Sequence, residues 1–282
     1  MVEGCLNRKP MINSLGEQLI ESQGELMLRH RNFTGRGHGA SLGSQKPQCL
    51  SSEQFGFSLI ELVVVIAIIG LLLAISIPAI GQARATARNT ECKNHLRQIG
   101  TALQNHHSQF GCFPKDGDKG WGYGVFLLPQ LEQAPLYSQI NPLSSKLTDT
   151  ASAQSGTTDT ILPVFRCPSF TGTDRLPSGF GRSNYRGTKD VFSSKTELTD
   201  VIDGESSTLA VGEVTVDHAW ALPGLGTCDA APNSGGAFGS QHSGGANFVF
   251  CDGSVRFLTN GIDAKTFQAL ETIAGREVIG EF

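Results

Sequence analysis

The sequence is poor in charge, since Asp, Glu, Lys and Arg make up 17% of its 282 residues, against about 25% in an average domain. Its formal net charge is −4, so it lacks the basic surplus with which nucleic-acid-binding domains meet phosphates. None of its seven cysteines forms a C-x-x-C pair, which excludes the usual spacing of zinc ribbons and thioredoxin-like sites. We therefore expect no nucleic-acid partner and no cofactor.

Two motifs of common enzyme classes, H-E-x-x-H and G-x-x-x-x-G-K-[ST], are also missing. His242 and Asp252 could belong to a Ser-His-Asp set, but their order and spacing give no support. Asp203 and Glu205 are too close in sequence for an EF-hand and are better explained by a turn. His106 falls on an apolar helix stripe and is expected to be packed. We predict a non-enzymatic protein with no catalytic residues and no metal ligands.

One long apolar run dominates what the sequence does contain. No charged residue occurs from Leu62 to Gln82, and about 20 residues at a helical rise span the ~30 Å hydrocarbon core of a bilayer. A buried helix and a secretory signal peptide ending near Ala83-Arg84-Ala85 are the alternatives. The length and purity of the run argue against the first, and its length and the early charge of Glu61 argue against the second. We predict a membrane-spanning helix.

Glu61 is unexpected at the start of such a span, because an intramembrane carboxylate is costly and marks a functional site by default. It could reach the membrane interface or pair with a cation. Cleavage between Gly56 and Phe57 would place a new amino group four residues earlier, on the same helix face. The sequence therefore offers Glu61 a partner that exists only after cleavage.

The stretch Gly56-Phe57-Ser58-Leu59-Ile60-Glu61, followed by the apolar run, resembles the cleavage and methylation motif of type IV prepilins and type II secretion pseudopilins. The resemblance implies that a prepilin peptidase/methyltransferase cuts after Gly56 and methylates Phe57. It also implies that Glu61 meets the N-terminus of a neighbouring subunit during filament assembly. Pro78 stands where pilins often carry a proline that bends the helix.

Two features depart from this pattern. A leader of residues 1–56 is long for the family, and Met27 instead of Met1 could be the true start. Basic residues also follow the span, where the positive-inside rule expects few on the outer side: Arg84, Arg88, Lys93 and Arg97. We follow the motif and expect a single-pass protein of the bacterial inner membrane with its C-terminal part outside the cytoplasm.

Beyond the span, apolar residues recur at alternating four- and three-residue spacing, which predicts that one helix continues from about Ser58 to Gln109. Its stripe comprises Cys92, Leu96, Ile99, Leu103, His106 and Phe110. A short helix is predicted at Leu131–Ile140. Short strands are predicted at Val125–Leu128, Ile161–Phe165, Thr208–Val211, Asn247–Cys251 and Ser254–Leu258. Exposed loops are predicted at 148–158 and 233–245.

The strongest C-terminal signal is His242, followed after nine residues by Asp252-Gly253. The Asp-Gly pair predicts the turn of a hairpin, because glycine supplies a positive φ. The spacing resembles the H-x9-DG signature of a large bacterial family of prepilin-like proteins with a C-terminal domain of unknown function. Further stretches carry the resemblance: Cys92–Pro114, 124–137, Phe165–Ser169, Asn184–Gly187 and Val201–Glu213.

We predict an α+β, pilin-like fold in which a long N-terminal helix packs on a small antiparallel sheet with long loops. The expected segments are a leader (1–56), a membrane or filament-core helix (57–82), its amphipathic continuation (83–110) and an extracytoplasmic β-rich domain (111–282). The expected function is a subunit that assembles with other pilin-like subunits into a type IV pilus-like or type II pseudopilus filament. The alternative is a membrane-anchored ligand- or surface-binding domain that does not polymerise.

Disulfides are expected if the domain is extracytoplasmic. Five cysteines follow the predicted leader, so at least one stays outside any disulfide. Cys92 and Cys112 lie about 30 Å apart if both are on one straight helix, too far to bridge there. The sequence leaves the pairing open among Cys92, Cys112, Cys167, Cys228 and Cys251.

Overall fold

The structure, a computed structural model, describes residue 56 and residues 58–147 and 154–277. The predicted leader before Gly56, the choice between Met1 and Met27, the methylation residue Phe57 and part of the loop at 148–158 therefore lie outside the described residues. The chain divides into one unit that ends at Ala74 and a second that begins at Ile75.

Helix α1 is the longest element and comprises the 52 residues Leu59–Phe110, which confirms the predicted helix to within one residue at each end. It is long and apolar enough to cross a membrane. All of its residues from Leu59 to Ala74, which belong to the first unit, are exposed. Pro78 lies inside the helix without ending it, although proline donates no backbone hydrogen bond.

The C-terminal half of α1 contributes the predicted stripe to the core of the second unit. Its buried members are Cys92, Leu96, Ile99, Gly100, Ala102, Leu103 and His106. Phe110, at the end of the predicted stripe, is instead 36% exposed. The helix is thus amphipathic only where a domain covers one of its faces.

Four antiparallel strands form one sheet in chain order: β1 (Tyr185–Gly187), β2 (Leu209–Glu213), β3 (Gly245–Phe250) and β4 (Val255–Thr259). The strands predicted at 208–211, 247–251 and 254–258 correspond to β2, β3 and β4. The three-residue β1 was not predicted, because three residues carry too little periodicity. The long helix and small sheet confirm the α+β, pilin-like fold.

Short helical segments fill the connections. They are α2 (Tyr123–Phe126), α3 (Ala134–Ile140), α4 (Lys189–Phe192), α5 (Ala264–Ala269) and 3₁₀ turns at Leu128–Leu131, Pro163–Phe165 and Leu198–Asp200. The prediction of a helix near 131–140 is confirmed by α3. The strands predicted at 125–128 and 161–165 are wrong, because both stretches are helical turns. Pro129 is the second residue and Pro163 the first residue of a 3₁₀ turn, and neither can donate to a strand ladder.

The sheet separates two groups of apolar side chains, and β3 shows the alternation that produces them. Val249 lies in the core that includes the α1 stripe. The same core includes Cys251, which directly follows the strand. Phe248 and Phe250 lie in a second core with Phe238 and Phe267. The rings of Phe248 and Phe267 meet edge to face with centroids 5.4 Å apart, a favourable aromatic geometry.

Candidate functional site

The N-terminal motif forms the start of α1. The backbone N–H of Ser58 donates to Glu61 Oε2 at 2.9 Å, with Ser58 just before the helix and Glu61 in its first turn. This is the glutamate half of a capping box, in which an acidic side chain three residues on reaches back to the N-cap amide. The S-x-x-E pattern was a readable signal that the sequence reasoning missed. Glu61 therefore has one oxygen engaged within its own chain.

The surface of α1 after Glu61 is apolar and uncovered. Large hydrophobic side chains between Leu59 and Ile80 are 48–79% exposed, and Pro78 lies among them. A continuous apolar surface of this kind marks a site of association with protein or lipid. The predicted cleavage position after Gly56 directly precedes this surface.

The signature histidine is buried in the second unit. His242 is 8% exposed, and its Nε2 lies 3.3 Å from Glu213 Oε1 and 3.5 Å from Cys167 Sγ. Its Nδ1 lies 3.3 Å from Ser169 Oγ. The structure therefore places His242 in the interior with polar neighbours at both ring nitrogens.

A disulfide lies beside this histidine and resolves one of the open pairings. Cys92 of α1 is bonded to Cys167, with Cα atoms 5.2 Å apart and a separation of 75 positions in sequence. It ties the long helix to the segment that follows the 3₁₀ turn at 163–165. Cys228 and Cys251 are buried thiols.

Glu213, at the end of β2, is the buried acid beside His242 and is 2% exposed. Its Oε2 accepts hydrogen bonds from the backbone N–H of Asn247 at 2.7 Å and from its side-chain amide at 3.1 Å. The same amide donates to Asn89 Oδ1 of α1 at 2.9 Å. Burial, with the Glu213 charge adding to it, holds the pKa of Tyr185 well above its ordinary value. The surroundings are therefore of low polarity, where charges are costly unless partnered.

Asp252 and Gly253 form the predicted turn between β3 and β4. Asp252 Oδ1 accepts from the backbone N–H of Ser254 at 2.8 Å, and Gly253 has a φ of +81°. The turn fits closely on α1, because a Cβ added at Gly100 would lie 3.0 Å from the Gly253 carbonyl oxygen. The amide of Gln104 donates to the carbonyl of Cys251. The Asp-Gly pair therefore positions the hairpin on the helix.

The structure does not bring the two halves of the signature together. Asp252 caps its own turn, and Glu213 is the carboxylate beside His242. The Ser-His-Asp set considered from the sequence is thus not assembled from these residues. Asp203, considered for calcium, accepts hydrogen bonds from the backbone N–H groups of Gly275 and Arg276 and so holds the C-terminal segment.

His106 is the packed histidine that the helix pattern predicted. It is 8% exposed, and its Nδ1 lies 3.0 Å from the carbonyl oxygen of Cys112. Burial lowers the pKa of His106 to about 4 against the opposing effect of this hydrogen bond, and the neighbouring His107 lowers it further. His106 is therefore neutral at physiological pH.

The exposed apolar helix, its acidic first turn and the small sheet together define a prepilin-like protein. Residues 51–77 match the prokaryotic N-terminal methylation motif. Residues 81–197 and 223–265, more than half of the chain, match the family described as "Protein of unknown function (DUF1559)", to which the chain therefore belongs.

Two curated proteins are similar to part of the chain. The type IV major pilin protein PilA of Myxococcus xanthus is 36% identical over 80 residues, which are 25% of this chain and 36% of PilA. The fimbrial protein EcpC of Eikenella corrodens is 40% identical over 67 residues, 24% of this chain and 44% of EcpC. The chain thus spans less than half the length of either relative. No solved structure matches.

Sequence reasoning singled out His242 but missed the residues around it. Cys92, Cys167, Asn184 and Glu213 come from four of the separate stretches that carry the family resemblance. Asn184 Oδ1 accepts from the backbone N–H of Cys167 at 3.0 Å. No linear spacing connects these stretches, and only the fold brings them together.

Proposed function

We propose that the chain is a pilin-like structural subunit that is cut after Gly56 by a prepilin peptidase, methylated at Phe57 and assembled into a filament. The filament is of the type IV pilus or type II pseudopilus kind, and its other subunits are copies of this chain or related pilin-like proteins. Before assembly the subunit is held by α1 in the bacterial inner membrane, with residues 111–282 outside the cytoplasm.

The observation that carries the proposal is the uncovered apolar surface of α1 from Leu59 to Ile80. A membrane anchor alone would explain its apolar character, and helix capping alone would not require a carboxylate at this position, because glutamine also caps. Glu61 Oε2 accepts a hydrogen bond from Ser58, and an ionised carboxylate also offers a negative charge. That charge suits the methylated amino terminus of a neighbouring subunit, and Pro78 adapts the helix to its packing.

The basic residues that follow the span are compatible with an extracytoplasmic C-terminal part, although the positive-inside rule expects few of them there. Lys93 is half-buried, and its ammonium group lies 5.7 Å from the ring centre of Phe257 in β4. Arg97 donates to Asn94 on the same helix at 3.1 Å. Both belong to the folded domain, and long domains are translocated largely regardless of their charge.

The test separates the charge of Glu61 from its capping role. Glu61→Gln keeps a side chain that can cap the helix but removes the charge, whereas Glu61→Val removes both. A charge pair at about 4 Å contributes about 4 kcal/mol at an effective dielectric constant of 20. We therefore expect both variants to insert into membranes and to assemble about 10³-fold less readily than the unmodified subunit.

The measurements are the amount of sheared filament and the ladder formed by chemical crosslinking through residues 57–80. Filament levels of Glu61→Gln equal to those of the unmodified chain would remove the charge-pairing argument. Mass spectrometry of the mature N-terminus tests processing independently, with methylated Phe57 as the expected result. An intact leader without ladders would instead indicate a non-polymerising anchor.

A further inference from the structure

Four side chains around His242 form a compact set of metal-binding atoms. One ligand atom from each of Cys92, Cys167, Glu213 and His242 lies within 4.8 Å of every other, and all four residues are buried. Glu213 Oε1 has no hydrogen-bond partner, although His242 Nε2 is 3.3 Å away. A buried carboxylate oxygen without a donor is costly, and it points into this set.

Two of the distances between these atoms match edges of a zinc tetrahedron. With Zn–S near 2.3 Å and Zn–N and Zn–O near 2.1 Å, tetrahedral angles place N and O about 3.4 Å apart and S and N about 3.6 Å apart. His242 Nε2 is 3.3 Å from Glu213 Oε1 and 3.5 Å from Cys167 Sγ. The two sulfur atoms must separate from a bonded pair to about 3.8 Å.

The surroundings hold these ligands as the outer shell of a metal site would. His242 Nδ1 lies 3.3 Å from Ser169 Oγ, so a second group fixes the ring. Glu213 Oε2 is held by two hydrogen bonds from Asn247. Such outer partners orient ligands and raise metal affinity. A small cleft of about 10 Å³ is lined by Cys167 and Glu213 of this set, together with Gln241 and other residues.

We propose that the dithiol form of this chain binds one Zn²⁺ through Cys92, Cys167, Glu213 and His242. Two thiolates, one imidazole and one carboxylate form a donor set that zinc prefers. A phosphine reductant and water convert the disulfide to two thiols and a phosphine oxide. Zn²⁺ then displaces the two thiol protons. Disulfide and zinc are thus alternative links between α1 and the segment at residue 167.

The experiment uses the full chain in detergent micelles, reduced with a water-soluble phosphine under anaerobic conditions. Zn²⁺ is titrated against a chromophoric chelator, and Co²⁺ replaces it for visible and thiolate charge-transfer spectra. We expect one tightly bound zinc per reduced chain and none at this site in the oxidised chain. X-ray absorption of the zinc form should show two sulfur and two nitrogen or oxygen ligands.

Matched variants assign the site. His242→Gln should weaken zinc binding at least about 100-fold, and Ser169→Ala, which removes only an outer partner, by about 10-fold. His218→Gln and Cys251→Ala alter a buried histidine and a buried thiol outside the cluster, and both should leave zinc binding unchanged.

Disulfide formation in oxidised His242→Gln shows whether that variant folds. If it does not fold, X-ray absorption of the zinc form of the unmodified protein tests the ligand set instead. A reduced chain without stoichiometric zinc, a site with three or four sulfur ligands, or unchanged binding in a folded His242→Gln would each overturn the proposal.

Discussion

Removal of the Cys92–Cys167 disulfide should lower the free energy of unfolding of the second unit. The size of the loop that the disulfide closes sets the amount. Cys92→Ala combined with Cys167→Ala frees a loop of about 75 residues. The chain-entropy relation gives about 15 cal/mol/K for such a loop, or about 4.5 kcal/mol at 25 °C. That is a large share of the 5–15 kcal/mol typical of a folded domain.

The assay is denaturant unfolding of the full chain in detergent with a chelator present, followed by tryptophan fluorescence. Both tryptophans, Trp121 and Trp220, are at most 2% exposed and lie in the unit that begins at Ile75, so the signal reports on that unit. Cys251→Ala is the control, since it removes buried volume without a crosslink. If the oxidised chain and the double variant differed by less than about 1 kcal/mol, the loop-closure reasoning would be refuted.

Two further predictions concern the histidines and the hairpin turn. Burial lowers the pKa of His106 to about 4 and that of His218 to about 3, so the unfolded chain binds more protons below pH 6.5. The free energy of unfolding should fall as the pH is lowered from 6.5 towards 4, by up to about 1.4 kcal/mol per pH unit for each histidine. His106→Asn should flatten this slope in pH-dependent denaturation, and an unchanged slope would contradict the assignment. Gly253→Ala should cost about 1–2 kcal/mol because of the positive φ, whereas Gly253→Asn should cost less in the same assay; equal losses would mean that the backbone conformation is not the cause.

The periodic parts of the fold could be predicted from the sequence. The apolar run and the stripe from Cys92 to His106 specify α1, because one helix face must meet the core wherever a domain covers it. The alternation around Phe248 and the Asp252-Gly253 pair specify the hairpin. Val125–Leu128 was wrongly expected to be a strand, since a short buried apolar run has no distinguishing period.

The two candidate sites differ in whether their residues are contiguous in the sequence. The motif from Gly56 to Glu61 is contiguous, so the sequence could identify it, including the overlooked S-x-x-E cap. The cluster around His242 depends on Cys167 and Glu213, which lie 75 and 29 positions before it in the chain. Nothing in their spacing reveals that a disulfide and a strand end meet there.

The position of the disulfide also determines how α1 transmits mechanical force. Cys92 is the first buried residue of the helix, ahead of Leu96, Ile99 and Leu103. Tension applied through the N-terminal half of α1 therefore reaches a covalent bond before it loads the non-covalent contacts of the stripe. A pull along the helix cannot shear it from the sheet one turn at a time while the bond is intact. The loop of 75 residues that the bond closes is shielded from the stretching force.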